Sequence, residues 1–164
     1  MNVFVATLRT PFGRFLYAMN PAGAVVATAF GDETALRQRL KSPYTVIDAP
    51  PAEPGIRAQL EEYFAGRRPV FSLALAPAGT RFQIAVWTEL QRIPYGKTRS
   101  YGEVAAALGR PAAARAVGRA NATNSICVIV PCHRVIGANG ALTGFAFGEK
   151  IKRGLLALEA AADR

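Results

Sequence analysis

The sequence predicts a mixed α/β protein of the α+β type, organised as two lobes. Three short, apolar, β-rich runs separated by turn residues occupy the first thirty positions, a pattern that favours an antiparallel meander. Helical apolar stripes that follow capping motifs dominate the second half. At 164 residues, the chain has the length of one domain, or of one domain with a small appended lobe, and can bury its own core.

The amino-terminal lobe is expected over residues 1–77, as an antiparallel sheet with helices. Its predicted strands are short apolar runs bounded by turn residues: 3–8, 12–19, 24–30 and 71–75. A first helix opens at Asp32 and runs through Leu40. After a break at 49–51, a second helix is predicted over 54–65, because apolar residues recur there every fourth position.

The carboxy-terminal lobe is expected over residues 78–164 and is predicted to be mostly helical. One helix is predicted over 81–91, a second ends at Gly109, and a third covers 111–120 with Pro111 in its first turn. Capping boxes open the first two helices: Thr80 with Gln83, and Ser100 with Glu103.

The second and third of these helices form a helix-turn-helix pattern of winged-helix-like type. Arg115 and Arg119 lie four residues apart and therefore share one face, which Ala112 and Ala116 flank. Small residues let a helix approach a groove closely, while guanidinium groups meet phosphates or enter the groove. DNA contact by this face is predicted; an ordinary solvated arginine face is the alternative.

The charge of the chain is uneven. Its formal net charge is +9, with 8 basic and 6 acidic side chains in residues 1–75 against 12 and 5 in residues 76–164. A basic half indicates a polyanionic partner, nucleic acid first. A basic surface that only aids solubility explains the charge equally well.

Several classes of protein are excluded by composition. The chain has two Cys and one His, fewer ligands than a structural zinc site needs, so no metal is expected. The start of the chain lacks the features of a secretory signal, and no apolar run is long enough to cross a membrane. A cytoplasmic protein with reduced thiols and no membrane association is the expectation.

Reactive residues follow a continuous apolar run. Residues 126–130 are predicted to form a buried strand, which ends at Cys132 and His133. A thiol with an ordinary pKa of about 8.5 is mostly protonated at neutral pH, and a neighbouring imidazole can take its proton. The structural alternatives are that Cys132 is a small buried apolar residue and that His133 is a hydrogen-bonded histidine of the core.

A carboxylate lies on an apolar stripe of the last helix. Glu159 is the next position on the stripe that Ile151 and Leu155 form. Because burying an unpaired charge is costly, Glu159 is predicted to accept a hydrogen bond from the imidazole and to orient it. The alternative is a frayed terminal glutamate in water.

The run Pro131-Cys132-His133-Arg134-Val135 resembles the active-site signature of the O6-alkylguanine-DNA alkyltransferases, also called methylated-DNA–protein-cysteine methyltransferases. The resemblance covers about residues 80–159. Further motifs match in the family's order and spacing: Phe82-Gln83 through Val86-Trp87, Ile93-Pro94-Tyr95-Gly96, Ser100-Tyr101-Gly102, residues 114–118, Asn124 and residues 155–159.

This resemblance implies direct-reversal DNA repair. A methyl or other alkyl group would pass irreversibly from O6 of guanine, and less well from O4 of thymine, to Cys132. Each molecule would act once, as a monomer and without any cofactor, on double-stranded DNA that contains O6-alkylguanine. The resemblance also implies that the DNA binds through its minor groove and that the damaged nucleotide is flipped out of the duplex.

The resemblance assigns roles to individual residues. His133 acts as the base through a water molecule, and Glu159 orients it. Asn124 holds the active-site turn, Tyr101 contacts the flipped base, and Arg115 fills the gap that the base leaves. The backbones of Cys132 and Val135 accept from the guanine amino group, and the Ala146 amide donates to O6. The remaining pocket and DNA contacts are Phe145 and Phe147, and Ala112, Ala116, Arg119 and Arg134.

The sequence departs from the family's pattern at Phe147, where glycine is frequent, and this ring is expected to narrow the pocket against large alkyl groups. Three other functions remain as alternatives. They are a non-catalytic alkylated-DNA-binding protein of the same fold, a helix-turn-helix DNA-binding regulator, and a cysteine hydrolase.

Overall fold

The computed structural model describes residues 1–41, 43–47 and 55–162. The chain divides into two compact units, Met1–Ala78 and Gly79–Arg164. Within the described residues, the first unit contains a sheet and two helices, and the second contains four α-helices, a 3-10 turn and a short strand pair. The predicted mixed α+β class is confirmed.

The first unit is built on a four-stranded sheet in the order β3-β2-β1-β4. Its strands are β1 (Asn2–Thr10), β2 (Gly13–Met19), β3 (Val25–Phe30) and β4 (Thr45–Val46). The first three pair antiparallel, as the sequence predicts, with Leu8 opposite Phe15. Strand β4 pairs parallel with β1. It was not predicted, because two residues are too few to show a periodic pattern.

Helix α1 (Glu33–Arg37) begins at Asp32, whose carboxylate accepts from a backbone amide of the first turn. The helix is shorter than the predicted helix that runs through Leu40. The amides of Arg39 and Leu40 donate to carbonyls three residues back instead of four, so the chain tightens and the α-helix ends.

Helix α2 (Ile56–Phe64) follows Gly55, whose φ of +79° is a conformation that glycine adopts without strain. Its apolar face contributes Phe64 to an aromatic cluster with Phe15 and Phe30, at centroid distances of 5.3 and 6.2 Å. The predicted break at 49–51 and the predicted first helical residue at 54 lie outside the described residues.

The predicted strand over 71–75 is wrong. Only Leu75 makes a ladder contact, an isolated bridge to Val25. The Gln59 side chain bonds both backbone polar groups of Ser72, with its Oε1 accepting from the amide at 2.8 Å and its Nε2 donating to the carbonyl at 3.2 Å. Further along, the Ala74 carbonyl accepts from the Val25 amide and the Ala76 amide donates to the Val25 carbonyl, so the segment meets β3 at one residue instead of along a ladder.

The second unit carries the helices that the capping boxes predict. Its elements are α3 (Arg81–Leu90), β5 (Arg99–Ser100), α4 (Tyr101–Ala107), α5 (Ala114–Ala122), the 3-10 turn Cys132–Arg134, β6 (Val135–Ile136) and α6 (Glu149–Ala162). Both predicted capping boxes are present. Strands β5 and β6 pair in parallel. In the described ranges, no helix is long and apolar enough to cross a membrane.

The second helix of the helix-turn-helix begins later than predicted. Helix α5 starts at Ala114, not at Pro111. A hydrogen bond of 2.9 Å from the Ala113 amide to the Arg110 carbonyl closes a turn that holds Pro111 at its second position. Proline is favoured there because its fixed φ matches the turn.

Residues 126–130 are buried, but the predicted strand is wrong. The Val130 amide donates to the Ile126 carbonyl at 2.9 Å, and Val128 has a φ of 74°. The chain therefore reverses direction within five residues. An apolar run shows burial without specifying backbone direction, since a buried turn and a buried strand have the same composition.

Candidate active site

Cys132 opens the 3-10 turn directly after this buried reversal. Its amide donates to the Val130 carbonyl at 2.8 Å, and its carbonyl accepts from Asn121 Nδ2 at 3.2 Å. The residue is 4% exposed. Both cysteines of the chain are reduced thiols. The thiol of Cys132 is thus held on a rigid backbone and largely shielded from bulk water.

Asn124 supports the reversal from which Cys132 emerges. Its Nδ2 donates to the Val130 carbonyl at 3.0 Å, and its Oδ1 accepts from the Ile126 amide at 3.1 Å. The amide side chain replaces the ladder partners that these buried backbone groups lack. Asn124 therefore lies in the support of the nucleophile's backbone, two residues beyond the end of α5.

Asn121 is a second amide support that sequence reasoning missed. It lies on the buried face of α5, four residues after the fully buried Val117, and is itself 2% exposed. The helical spacing from Val117 was the signal that could have identified it. Through its bond to the Cys132 carbonyl, Asn121 connects the second helix of the helix-turn-helix to the reactive turn.

His133 and Glu159 form a fully buried pair. The Nε2 atom of His133 lies 2.6 Å from Oε2 of Glu159, and neither side chain is exposed. Burial lowers the pKa of His133, although the Glu159 carboxylate opposes this shift. Burial alone would raise the pKa of Glu159, but hydrogen bonds and charge from His133 and Arg134 outweigh it and hold that pKa well below its ordinary range.

Arg134 does not face solvent, contrary to the prediction that it contacts DNA. It is 7% exposed and its guanidinium holds Glu159, with Nε to Oε1 at 2.8 Å and Nη2 to Oε2 at 3.1 Å. Its Nη1 donates to the Ile93 carbonyl at 2.7 Å, and the guanidinium lies over the Tyr95 ring. A buried carboxylate recruits this cation because an unpaired buried charge is costly, and each of the three guanidinium nitrogens donates to an acceptor inside the unit.

Tyr101 and Lys152 meet at the Thr143 carbonyl. The Tyr101 hydroxyl donates to it at 2.8 Å and Lys152 Nζ at 3.2 Å. Burial raises the pKa of the Tyr101 phenol, with a further contribution from Cys132, and burial lowers the pKa of Lys152, against an opposite contribution from Cys132. The two side chains thus share one backbone acceptor, the Thr143 carbonyl.

Lys152 is the second residue that sequence reasoning missed. It is fully buried, and its Nζ also donates to the Val135 carbonyl at 2.5 Å. The spacing of Lys152, Leu155 and Glu159 places all three on one face of α6, and this spacing is visible in the sequence. A lysine next to an apolar stripe usually lies at the edge of the buried face with its amine in water, so burial of Lys152 was not predicted.

The predicted pocket residues lie on and after β6. Val135 is fully buried, and Phe145 is 9% exposed and packs edge-on against Phe147 at a centroid distance of 5.7 Å. Ala146, between the two rings, is exposed. Among the described residues, no three His, Cys, Asp or Glu side chains cluster in a way that could hold a metal ion.

The face of α5 that was predicted to contact DNA is only partly as expected. Arg115 and Arg119 are exposed, and Ala116 lies between them half-buried. Ala112 does not belong to this face, because it lies in the turn that precedes the helix. The opposite face packs inward through Val117.

Comparison with known proteins gives consistent matches. The family model for the DNA-binding domain of 6-O-methylguanine DNA methyltransferase matches residues 81–161. The methylated-DNA–protein-cysteine methyltransferase of Methanosarcina acetivorans is 61% identical over 101 residues, which are 62% of this chain and 65% of that protein. The chain thus aligns with slightly less than two thirds of this relative's length. The enzyme of the same name from Mycolicibacterium paratuberculosis is 56% identical over 110 residues, 67% of each chain.

Among solved structures, Mycobacterium tuberculosis OGT in complex with DNA is similar over nearly its whole length. It has a TM-score of 0.84 and 42% identity, and the match covers 99% of this chain and 94% of that one. A methyltransferase from Pyrococcus kodakaraensis shares the fold, with a TM-score of 0.65 at 22% identity. Since the match to the mycobacterial structure covers both units and the family model covers the segment around Cys132, the chain belongs to the O6-methylguanine-DNA methyltransferase family.

Proposed function

We propose that this protein repairs DNA directly, by moving an alkyl group from O6 of guanine to Cys132 in a single, irreversible transfer. O4-alkylthymine would be a poorer substrate. The observation that carries the proposal is the sheltered Cys132 thiol beside a buried His133–Glu159 pair, in the same unit as a helix-turn-helix with exposed arginines.

Activation of the thiol is the first chemical requirement. The ordinary pKa of a cysteine, about 8.5, leaves little thiolate at neutral pH, and an imidazole raises that fraction by taking the proton. In the proposed mechanism, His133 takes the Cys132 proton through a water molecule. Glu159, ionised and 2.6 Å away, stabilises the imidazolium that forms.

The transfer itself is an in-line displacement. The Cys132 sulfur forms a bond to the alkyl carbon as the bond between this carbon and guanine O6 breaks. The electron pair stays on the base, and the proton from the thiol finally neutralises it. The product is a thioether that no group in the site can hydrolyse, so the protein is consumed one molecule per lesion.

Access to the lesion requires that the base leave the duplex. Extrusion costs a few kcal/mol, less at a weakened pair. In the proposal, α5 lies in the minor groove with its small residue Ala116 against the DNA, Arg115 enters the stack where the base was, and Arg119 meets phosphates. Asn124 holds the reactive turn during these changes through its two backbone bonds.

The pocket would recognise the extruded base by its edges. We assign the base contact and a hydrogen bond to the leaving guanine to Tyr101, whose hydroxyl must then exchange its bond to Thr143. The carbonyls of Cys132 and Val135 accept from the guanine amino group with the lone pairs that Asn121 and Lys152 leave. The Ala146 amide would donate to O6, with Phe145 and Phe147 beside the alkyl group.

In this proposal, the protein acts as a monomer, without cofactor or metal. Its partner is double-stranded DNA that contains O6-alkylguanine. The substrate places the protein where chromosomal DNA lies, which is the cytoplasm and nucleoid if the cell is prokaryotic.

Mass spectrometry of the intact protein tests this function. After mixing with excess duplex that contains O6-methylguanine, the protein should gain one methyl group on the peptide that bears Cys132, and the reaction should stop at one equivalent. Cys132→Ser should abolish the gain. Cys127→Ser is the matched control, because it removes the other buried thiol and should leave the gain intact.

Measuring the binding of lesion-containing and undamaged duplexes beside the methyl gain separates two of the alternatives. Tight binding of the lesion duplex without methyl gain would identify a non-catalytic lesion-binding protein. Binding of DNA without preference for the lesion and without methyl gain would identify a helix-turn-helix regulator.

A further inference from the structure

The buried pair of His133 and Glu159 is part of a buried cluster of three charged or titratable groups, and Arg134 is its third member. Arg134 bonds both carboxylate oxygens of Glu159, at 2.8 and 3.1 Å, while His133 Nε2 shares Oε2 at 2.6 Å. A fork that engages both oxygens fixes the plane of the carboxylate as well as its charge. Alkyl transfer as proposed assigns no chemical role to Arg134.

The bonds of Arg134 determine which nitrogen of His133 carries hydrogen. A guanidinium stays protonated, so a carboxylate bonded to it twice is held ionised and can only accept. The imidazole nitrogen that faces it at 2.6 Å, Nε2, must therefore be the donor. The remaining nitrogen, Nδ1, then has the lone pair of the neutral ring.

The same arginine balances charge around the ring. A buried imidazole beside a lone carboxylate would draw a proton and form an ion pair, but the Arg134 cation already neutralises Glu159. Other charged or titratable groups around His133 are Cys132 on its own turn and Lys152 on α6, while Glu89 on the adjacent α3 is paired with Arg92 and Arg99. With Arg134 in place, a neutral His133 leaves the cluster of Glu159, Arg134 and His133 without net charge.

We propose that Arg134 is a positioning residue that keeps His133 neutral, with its hydrogen on Nε2 and its Nδ1 ready to take the Cys132 proton. The inference deepens the proposed function and rests on it for its catalytic meaning. Burial and the Arg134 charge both lower the pKa of His133, which agrees with the geometry. Without Arg134, the ring would hold a proton before the thiol offers one.

Nitrogen NMR of the imidazole tests the unmodified protein directly. The chain has a single histidine, so the full-length protein gives one unambiguous pair of ring nitrogen signals. At pH 7, we expect a protonated Nε2 and an unprotonated Nδ1, with a titration midpoint below the ordinary value of about 6.5. An imidazolium at pH 7, or hydrogen on Nδ1, overturns the inference without any substitution.

Two variants separate charge from geometry. Arg134→Met should raise the pKa of His133 by about one pH unit or more, since it removes a nearby cation and releases the full charge of Glu159. Arg134→Lys keeps one cation without the fork and should change that pKa less. Arg153→Met is the matched control, because Arg153 pairs with Glu149 on the same helix as Glu159 but at the surface, and it should leave the titration unchanged.

Alkyl transfer supplies the functional readout. In Arg134→Met, the acid limb of the rate against pH should move upward by as many pH units as the pKa of His133 rises. At pH values well below both pKa values, the rate should therefore fall about tenfold for each unit of that rise. A variant whose rate falls equally at every pH while its histidine titrates as in the parent would show a purely structural role and refute the proposal. If Arg134→Met does not fold, the pKa of His133 in Arg134→Lys and the nitrogen NMR spectrum of the parent protein test the proposal instead.

The two proposals fail in distinguishable ways. A parent protein that gains no methyl group contradicts the proposed function, whatever the state of its histidine. A parent that transfers the methyl group but has a charged His133 at pH 7 contradicts only the role of Arg134.

Discussion

The stability of this protein should fall as the pH drops from 7 to 5, and His133 should cause the fall. The chain has one histidine, and ordinary carboxylates titrate mainly below this range. The folded state holds His133 fully buried with a lowered pKa, whereas in the unfolded chain its pKa is about 6.5. Below that value the unfolded state binds a proton that the folded state refuses, so acid favours unfolding.

The size of the effect follows from one proton. One proton bound only by the unfolded state changes the free energy of unfolding by about 1.4 kcal/mol per pH unit. If His133 stays neutral to pH 5, the loss between about pH 6.5 and 5 is about 2 kcal/mol. Below about pH 4.5, Glu159 adds to the loss in the same direction, because its depressed pKa keeps it ionised only in the folded state.

Urea denaturation at a series of pH values measures this slope. His133→Gln is the informative variant, since its amide can still donate to Glu159 but does not titrate. The free energy of unfolding of this variant should not change between pH 7 and 5, whatever its absolute value. A flat parent curve, or an equal slope in parent and variant, would refute the reasoning, because the buried neutral histidine would then not be the source.

Three further predictions concern single side chains. Gly144→Ala and Gly140→Ala should carry a similar strain of about 1 kcal/mol, since φ is +85° and +83°, but only at position 144 would the added carbon lie 2.5 Å from the Tyr101 hydroxyl. Alkyl transfer should therefore slow in Gly144→Ala alone, and equal rates would contradict the Tyr101 contact. Phe147→Gly should raise the rate with O6-benzylguanine, because it removes the ring that packs against Phe145 beside the proposed alkyl site; an unchanged rate would reject this. Ser125→Ala should be neutral or raise thermal stability by up to about 1 kcal/mol, because the Ser125 hydroxyl is buried without a hydrogen-bond partner among the described residues; a clear loss in calorimetry would show a hidden partner.

The structural features that depend on local sequence signals were predicted best. The meander of β1 to β3 follows from alternating turn and apolar composition, and the starts of α3 and α4 follow from capping boxes whose bonds form within four residues. The errors arose where a distant group satisfied the backbone. Gln59 bonds the backbone of Ser72 within the segment 71–75, and Asn124 stabilises a reversal within the apolar run 126–130.

The candidate site shows the same division. A reactive cysteine, its histidine neighbour and the periodic position of Glu159 were visible in the sequence, and the structure brings His133 and Glu159 to 2.6 Å. The family resemblance implied a DNA contact for Arg134, but in the structure this residue is 7% exposed and bonds Glu159. Only the packing of α6 against its turn makes Arg134 the partner of Glu159.

By itself, the sequence determined the class of fold, the order of the main helices, the family resemblance and the thiol that we propose to be alkylated. These features depend on spacing and composition over a few residues. The tertiary structure alone decided which charges are buried together, because Arg134, Glu159 and Lys152 come from segments up to 25 residues apart. In water each of these side chains would be solvated separately. Once the core excludes water, each must find its partner there, and that requirement sets the pairing.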